Sequence, residues 1–204
     1  MKPIRQKNRL KPIIVPFITG LVLIGMGFIS NRDINLDIQN MPSLPRPIAE
    51  ETVMITAAGQ STDAYIIKDI ANQLMIHNYF IPQADHLDFE GIKTLVFVAG
   101  NSAISEKILD FTFEDEKERV LKLLKLASEK NLKIILVFIG GSQRRDEETE
   151  WFLEQIGGQA QYIISTSDGD RDQFLYQMAG DLKIPITLVN ALDDISEPFA
   201  SVFR

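Results

Sequence analysis

Four short stretches hold most of the side chains able to do chemistry. They are Ala58-Gly59-Gln60-Ser61, Gly100-Asn101-Ser102, Gly140-Gly141-Ser142-Gln143-Arg144-Arg145 and Thr166-Ser167-Asp168-Gly169-Asp170. Each follows a short run rich in Val, Ile or other apolar residues. Glycine lets backbone approach a ligand, and a guanidinium can clamp a carboxylate or phosphate through two parallel bonds. Free N–H groups at a helix start add partial positive charge. Together these residue types suit recognition of a small anion. The candidate ligand-binding positions are Gly59, Gln60, Ser61, Gly100, Ser102, Gly140, Gly141, Arg144, Arg145 and Asp168. Each also has a plainer reading. Glycine after a strand is ordinary turn chemistry, Ser61 can cap a helix, and the two arginines can pair with Asp146, Glu147 and Glu148 on a solvated face.

Other chemistries find less support. There is no Cys, which excludes disulfides, thiolate zinc sites and thiol nucleophiles. Neither G-x-x-x-x-G-K-[ST] nor a G-x-G-x-x-G after the first apolar run occurs, so the standard nucleotide loops are missing. Asp168, Asp170 and Asp172 alternate, but an EF-hand loop counted from Asp168 needs Gly and an acid where Gln173 and Ala179 stand. No metal and no cofactor is expected. Asp170 with Gln173 reads instead as a helix cap. Ser61 or Ser102 could serve a hydrolase or transferase as nucleophile, yet neither His77 nor His86 is placed by a motif beside them, and no G-x-S-x-G elbow exists. No catalytic residue is assigned, and a non-catalytic binding domain is the leading expectation.

Charge is unevenly spread. Lys2, Arg5, Lys7, Arg9 and Lys11 stand without an acid before an apolar run, and with the chain at −7 overall the remainder carries −12. A body that acidic has no electrostatic affinity for a phosphate backbone, so nucleic acid is not an expected partner. Residues 12–29 read PIIVPFITGLVLIGMGFI, uncharged throughout. As a helix they would span about 27 Å, close to a bilayer's hydrocarbon core. The cations before them place the N-terminus in the cytoplasm and everything after about residue 31 outside. The exit lacks the small-residue pattern of a cleavage site, so a single-pass anchor is expected rather than a removed signal; cleavage would leave the body secreted. The expected organisation is a basic tail over 1–11, a membrane segment over 12–30, a Pro-containing stalk over 31–51 and a folded domain over 52–204. A chain starting near Glu51 should then fold alone.

The body alternates apolar runs with amphipathic segments. Val53–Ala57, Thr94–Ala99, Lys133–Ile139, Tyr162–Ser165 and Ile186–Asn190 are near-continuously apolar, as strands buried on both faces are. Helical spacing links Ala64, Ile67, Ile70, Ala71 and Leu74; then Val120, Leu123, Leu124 and Ala127, opened by a capping box of Thr112 and Asp115. A third helix through Thr149, Phe152 and Ile156 should stop at a left-handed Gly157, and a fourth runs from Phe174 to Leu182 before Pro185. Asp193 onward can form a short fifth. Asn78–Asp88 reads as an irregular connection or a short edge strand. This pattern predicts a three-layer α/β domain with a mostly parallel sheet of about five strands, flavodoxin-like or Rossmann-like in order, after the N-terminal membrane helix.

The order AGQS, IGGSQRR and DGDRDQF resembles an uncharacterised bacterial family defined by a domain of unknown function, over about residues 53–204. The matching positions are Gly59, Gln60, Ser61, Gly140, Gly141, Arg144, Arg145, Asp168 and Gly169. The second turn, Gly100-Asn101-Ser102, is poorer in glycine than that family's usual pattern. The resemblance implies a secreted or surface-exposed α/β domain and no particular activity. The expected function is a membrane-anchored extracytoplasmic domain that binds a small anionic ligand at the C-terminal edge of its sheet. The alternatives are the serine-based enzyme and a non-catalytic interaction module of the cell envelope.

Overall fold

Continuous apolarity over five or six residues buries a strand on both faces, and among the described residues the five runs expected as strands all form strands. The computed structural model describes residues 41–204. The basic tail, the apolar run 12–29 and the stalk as far as residue 40 lie outside the described residues. The elements are β1 (Val53–Ala58), α1 (Asp63–Gln73), β2 (Asn78–Phe80), β3 (Thr94–Ala99), α2 (Ala103–Leu109), α3 (Phe113–Glu129), β4 (Lys133–Phe138), α4 (Glu147–Gly157), β5 (Tyr162–Thr166), α5 (Phe174–Leu182), β6 (Ile186–Val189) and α6 (Ser196–Ser201). A single 3-10 turn, Ser142–Arg144, precedes α4, and another, Leu192–Ile195, leads into α6.

All strands are parallel in one six-stranded sheet of order β2-β1-β3-β4-β5-β6. That is the flavodoxin order with one strand added beside β5. Val53 registers with Asn78 on one side and Thr94 on the other. Alternate strand residues enter two separate cores. Met54, Leu95, Phe97, Leu136 and Ile163 pack under α3, α4 and α5, while Val53, Ile55, Val96, Ile135 and Tyr162 pack under α1 and α6. Helices thus cover both faces, giving the three layers that the apolar runs require. The segment Asn78–Asp88 supplies β2 over its first three residues and is irregular beyond.

Local signals held where they were strongest. Thr112 and Asp115 form the capping box of α3, with Asp115 N donating to Thr112 Oγ1 at 3.2 Å and Thr112 N donating to Asp115 Oδ2 at 3.0 Å. Others need correction. Gly157 is the last residue of α4 in ordinary helical geometry, not a left-handed stop. A Cβ there would lie 2.4 Å from Met178 Cε, so its role is close packing between α4 and α5. Asp170 caps α5, but it does so by accepting from Leu175 N (2.7 Å) and Tyr176 N (3.1 Å), without the side chain of Gln173. Helix α2 escaped the sequence reading because Ile104 and Ile108, its apolar pair one turn apart, face outward, at 74% and 76% exposed.

The stalk assignment also changes over residues 41–51. Met41 N donates to Ile186 O at 3.0 Å, Leu44 N to Ser201 Oγ at 3.0 Å, and Ile48 N to Val202 O at 3.0 Å. Leu44 is buried in the same core as α1 and α6. This strap crosses the N-terminal edge of the sheet from β6 to β3, where Thr94 Oγ1 donates to Glu50 O. Its prolines deny it regular structure, and its apolar side chains bind it to the body. A chain starting near Glu51 would therefore lose part of a core. Among the described residues, no helix is long and apolar enough to cross a membrane.

Candidate functional site

The strand order reverses between β1 and β3, and in open parallel sheets ligands enter beside that switch point. The turn after β1 is forced into its shape by crowding. Gly59 has φ +97°, and a Cβ on it would stand 2.5 Å from Gly100 O. Gln60 follows in left-handed geometry and forms an antiparallel bridge to Asn101, so the first two turns are tied together. Gly100 N donates to Ala58 O at 2.8 Å.

An ion pair beneath this turn was not anticipated from sequence. Glu116 accepts from Gly59 N (2.9 Å) and Gln60 Nε2 (2.7 Å), and from Arg119 Nη2 (2.6 Å) and Nε (2.8 Å). Arg119 in turn donates to Ala57 O (2.5 Å) and Ala84 O (3.0 Å). Their side chains are 2% and 10% exposed. One signal did exist: Glu116 lies four, seven and eight residues before Val120, Leu123 and Leu124, on the buried face of α3. Its neighbours Glu114 and Asp115 disguise it as one more acid at a helix start.

The arginine pair divides. Gly141, at φ +69°, turns the chain into the 3-10 segment, and a Cβ there would lie 2.6 Å from Asp168 Oδ2. Asp168 holds this turn, accepting from Ser142 N (2.9 Å) and Ser142 Oγ (3.2 Å), and it pairs with Arg171. The Ser142 N–H and the Arg171 charge keep its carboxyl below the ordinary carboxylate value. Arg144 then crosses to the first turn, where Nη1 donates to Ser61 Oγ (3.0 Å) and Asp63 Oδ1 (2.8 Å). Arg145 goes the other way. It donates to Gly169 O (2.9 Å), Glu150 Oε1 (2.9 Å) and Asp172 (3.1 and 3.0 Å), and stacks 4.9 Å from the Phe174 ring centroid. Burial opposes the Arg145 charge, but its bonds to the Glu150 and Asp172 carboxylates outweigh that and keep the group protonated. The side chains of Arg144 and Arg145 are 44% and 7% exposed. Arg145 is a clasp between two turns, with no free face for a ligand.

Of the sequence candidates, Gly59, Gln60, Ser61, Gly100, Gly140 and Arg144 gather around one point, and Asp63 marks it. Asp63 Oδ2 is buried without a partner, and Cβ atoms on Gly140 and Gly100 would lie 3.3 and 3.9 Å from it. Gly141 and Asp168 form the adjoining knot. Ser102 sits apart, its Oγ 2.9 Å from Ser105 Oγ at the start of α2. A cleft of about 420 Å³ opens beside Ser61, lined by Gln60, Tyr65, Ile81, Pro82, Gln83 and Ser105 among others. Neither histidine shares it. His77 lies at the opposite end of the sheet, where its carbonyl accepts from Val53 N, and His86 lines a separate cleft with Glu118 and Lys122. Among the described residues, no group of three His, Asp or Glu side chains is placed to hold a metal ion.

This arrangement can present a half-exposed guanidinium, a hydroxyl and neutral amides on one rim. No curated protein and no solved structure matches the chain. Residues 50–203, which take in every strand and helix described above and all four turns, match the model of a domain of unknown function, DUF6305, and the chain belongs to that family.

Proposed function

We propose that the domain binds a small anionic ligand at the C-terminal edge of its sheet, through Arg144 and Ser61, and catalyses no reaction there. The observation that carries this reading is the posture of Arg144. Nη1 is committed to Ser61 and Asp63, and the side chain as a whole is 44% exposed. A carboxylate or phosphate can then approach it without unfolding anything. Asp63 and Asp168 each pair with an arginine, which lessens their repulsion of an anion. The non-catalytic reading is supported by what surrounds the serines. Ser61 Oγ meets a guanidinium and the Asp63 N–H, neither of which accepts a proton, and Ser102 Oγ meets only another serine and a backbone N–H.

On this proposal the run 12–29, preceded by five cations, anchors the domain outside the cytoplasmic membrane. A reporter fused after Arg204 then acts as extracytoplasmic; activity confined to the cytoplasm would refute the topology. The binding reading is tested by titrating the full chain with inorganic phosphate and with acetate. Arg144→Ala should weaken binding about ten- to a hundredfold, the worth of a charge-assisted contact of about 1.5–3 kcal/mol. Equal affinity in the variant would sink it. A second reading, an interaction module of the envelope, draws on Ile104 and Ile108, which stand one turn apart on the exposed face of α2. Retention of an envelope protein that Ile104→Asp with Ile108→Asp abolishes would support it.

A further inference from the structure

The cleft beside Ser61 differs in chemistry from the rim around it. No carboxylate, ammonium or guanidinium lines it, although the chain as a whole carries −7. Part of the lining is hydrocarbon and aromatic: Ile81, Pro82 and Tyr65. Tyr65 is 52% exposed, yet its ring is braced edge-on against Phe80 with centroids 4.7 Å apart. The rest of the lining includes neutral polar groups from Gln60, Gln83, Ser61 and Ser105.

The polar lining is set in advance. A carboxylate only accepts, so the amide nitrogen of Gln60 must face Glu116 and its oxygen must face the cleft. That oxygen accepts from Gln83 Nε2 at 3.3 Å, leaving the second N–H and the carbonyl oxygen of Gln83 uncommitted. The buried pair of Glu116 and Arg119 thus fixes the direction of a hydrogen-bonding group at the surface. Binding groups held in place before a ligand arrives give up less entropy when it binds.

Groups that both donate and accept, beside an apolar and aromatic surface in one cleft, complement a hydroxylated ring. Its C–H face covers the Tyr65 and Pro82 surface, and its hydroxyls exchange hydrogen bonds with amides and serines. At about 420 Å³ the cleft falls at the small end of ligand sites, suited to one or two rings. Ser61 joins cleft to rim, because Arg144 Nη1 lies 3.0 Å from its Oγ. We propose that the ligand is an anionic sugar, with its ring in the cleft and its carboxylate or phosphate on Arg144. This rests on the anion-binding reading above and adds the chemistry of the ligand's body.

The test is an NMR titration of the full chain in mild detergent. The probes are a panel of hexuronates and hexose phosphates, neutral hexoses, acetate, inorganic phosphate and uridine 5′-monophosphate. Anionic sugars should bind at least tenfold more tightly than the matching simple anion or the neutral hexose, and the uronate and phosphate arms identify the charged group. Tyr65→Ala and Gln83→Ala should remove that advantage while leaving acetate and phosphate within about twofold. The proposal is overturned if simple anions bind as tightly as every anionic sugar, or if the nucleotide outbinds all sugars tenfold. It is also overturned if Tyr65→Ala changes nothing. Failure of all anions to bind, with Arg144→Ala silent, would instead remove the anion-binding reading itself.

Discussion

Removing the Glu116 carboxylate should be among the most damaging single changes in the domain. In Glu116→Ala, four donors lose their acceptor at once: Gly59 N, Gln60 Nε2 and two nitrogens of Arg119. Water cannot easily replace it, since the carboxylate is 2% exposed. Breaking a buried pair on one side costs about 3–5 kcal/mol, because the remaining charge is left uncompensated. For a chain of this size that is a fall of roughly 6–20 °C in Tm, at about 2–4 °C per kcal/mol. Thermal melts of the full chain followed by circular dichroism would measure it. Replacing both partners by leucine separates two explanations. If the charges alone mattered, the double variant would return close to the parent stability. Here it should not, because Gly59 N, Ala57 O and Ala84 O would be left without partners at about 1–3 kcal/mol each. A loss under about 1 kcal/mol for Glu116→Ala, or full recovery in the double variant, would refute the view that this pair fixes the first turn.

The other expectations can be checked on the same preparations. A chain beginning at Ala49 or later, without the strap, should be less stable than one beginning at Met41 by at least about 1.5–3 kcal/mol, the burial of Leu44 alone; equal urea midpoints would show that the strap contributes nothing. Arg145→Ala should lower stability by about 1–2 kcal/mol, less than a fully buried pair because Glu150 and Asp172 are partly exposed. Arg144→Ala should also lower it by at least about 1 kcal/mol, because it leaves the buried Asp63 carboxylate without its cation, so a change under about 0.5 kcal/mol would contradict the Arg144–Asp63 pair. The depressed carboxyl of Asp168 makes its hold on the Ser142 N–H acid-sensitive. The contribution is present above the ordinary value of 3.8 and is lost as pH falls through the lower folded value. The Ser142 amide resonance should therefore move only on the acid side of pH 4, and a transition at higher pH would contradict the sign of the shift.

Much of the layout was open to a reading of residues alone. Continuous apolar runs place β1, β3, β4, β5 and β6, because a strand covered on both faces favours apolar side chains at nearly every position, and the polar residues buried among them are small hydroxyl ones such as Thr56, Thr94 and Thr187. Thr112 and Asp115 mark the start of α3 for a purely local reason, since each bonds the other's backbone three residues away. The four glycine-bearing turns fall together once the strands are parallel. Arg144 and Arg145 show where such reading stops. Neighbours in sequence and alike in chemistry, they part because the 3-10 turn sends one side chain to Ser61 and the other to Phe174. Ser61 lies 83 residues from Arg144 and Phe174 lies 29 residues from Arg145, and no local pattern encodes such distances. Glu116 and the strap carry the same lesson. A carboxylate at a helix start and a proline-containing segment look solvated until a glycine turn and a core edge are laid against them. Apolar periodicity is a property of the chain itself and survives in any fold that buries it. The partner of a polar group is a property of the packed whole, decided only when distant segments exclude water together.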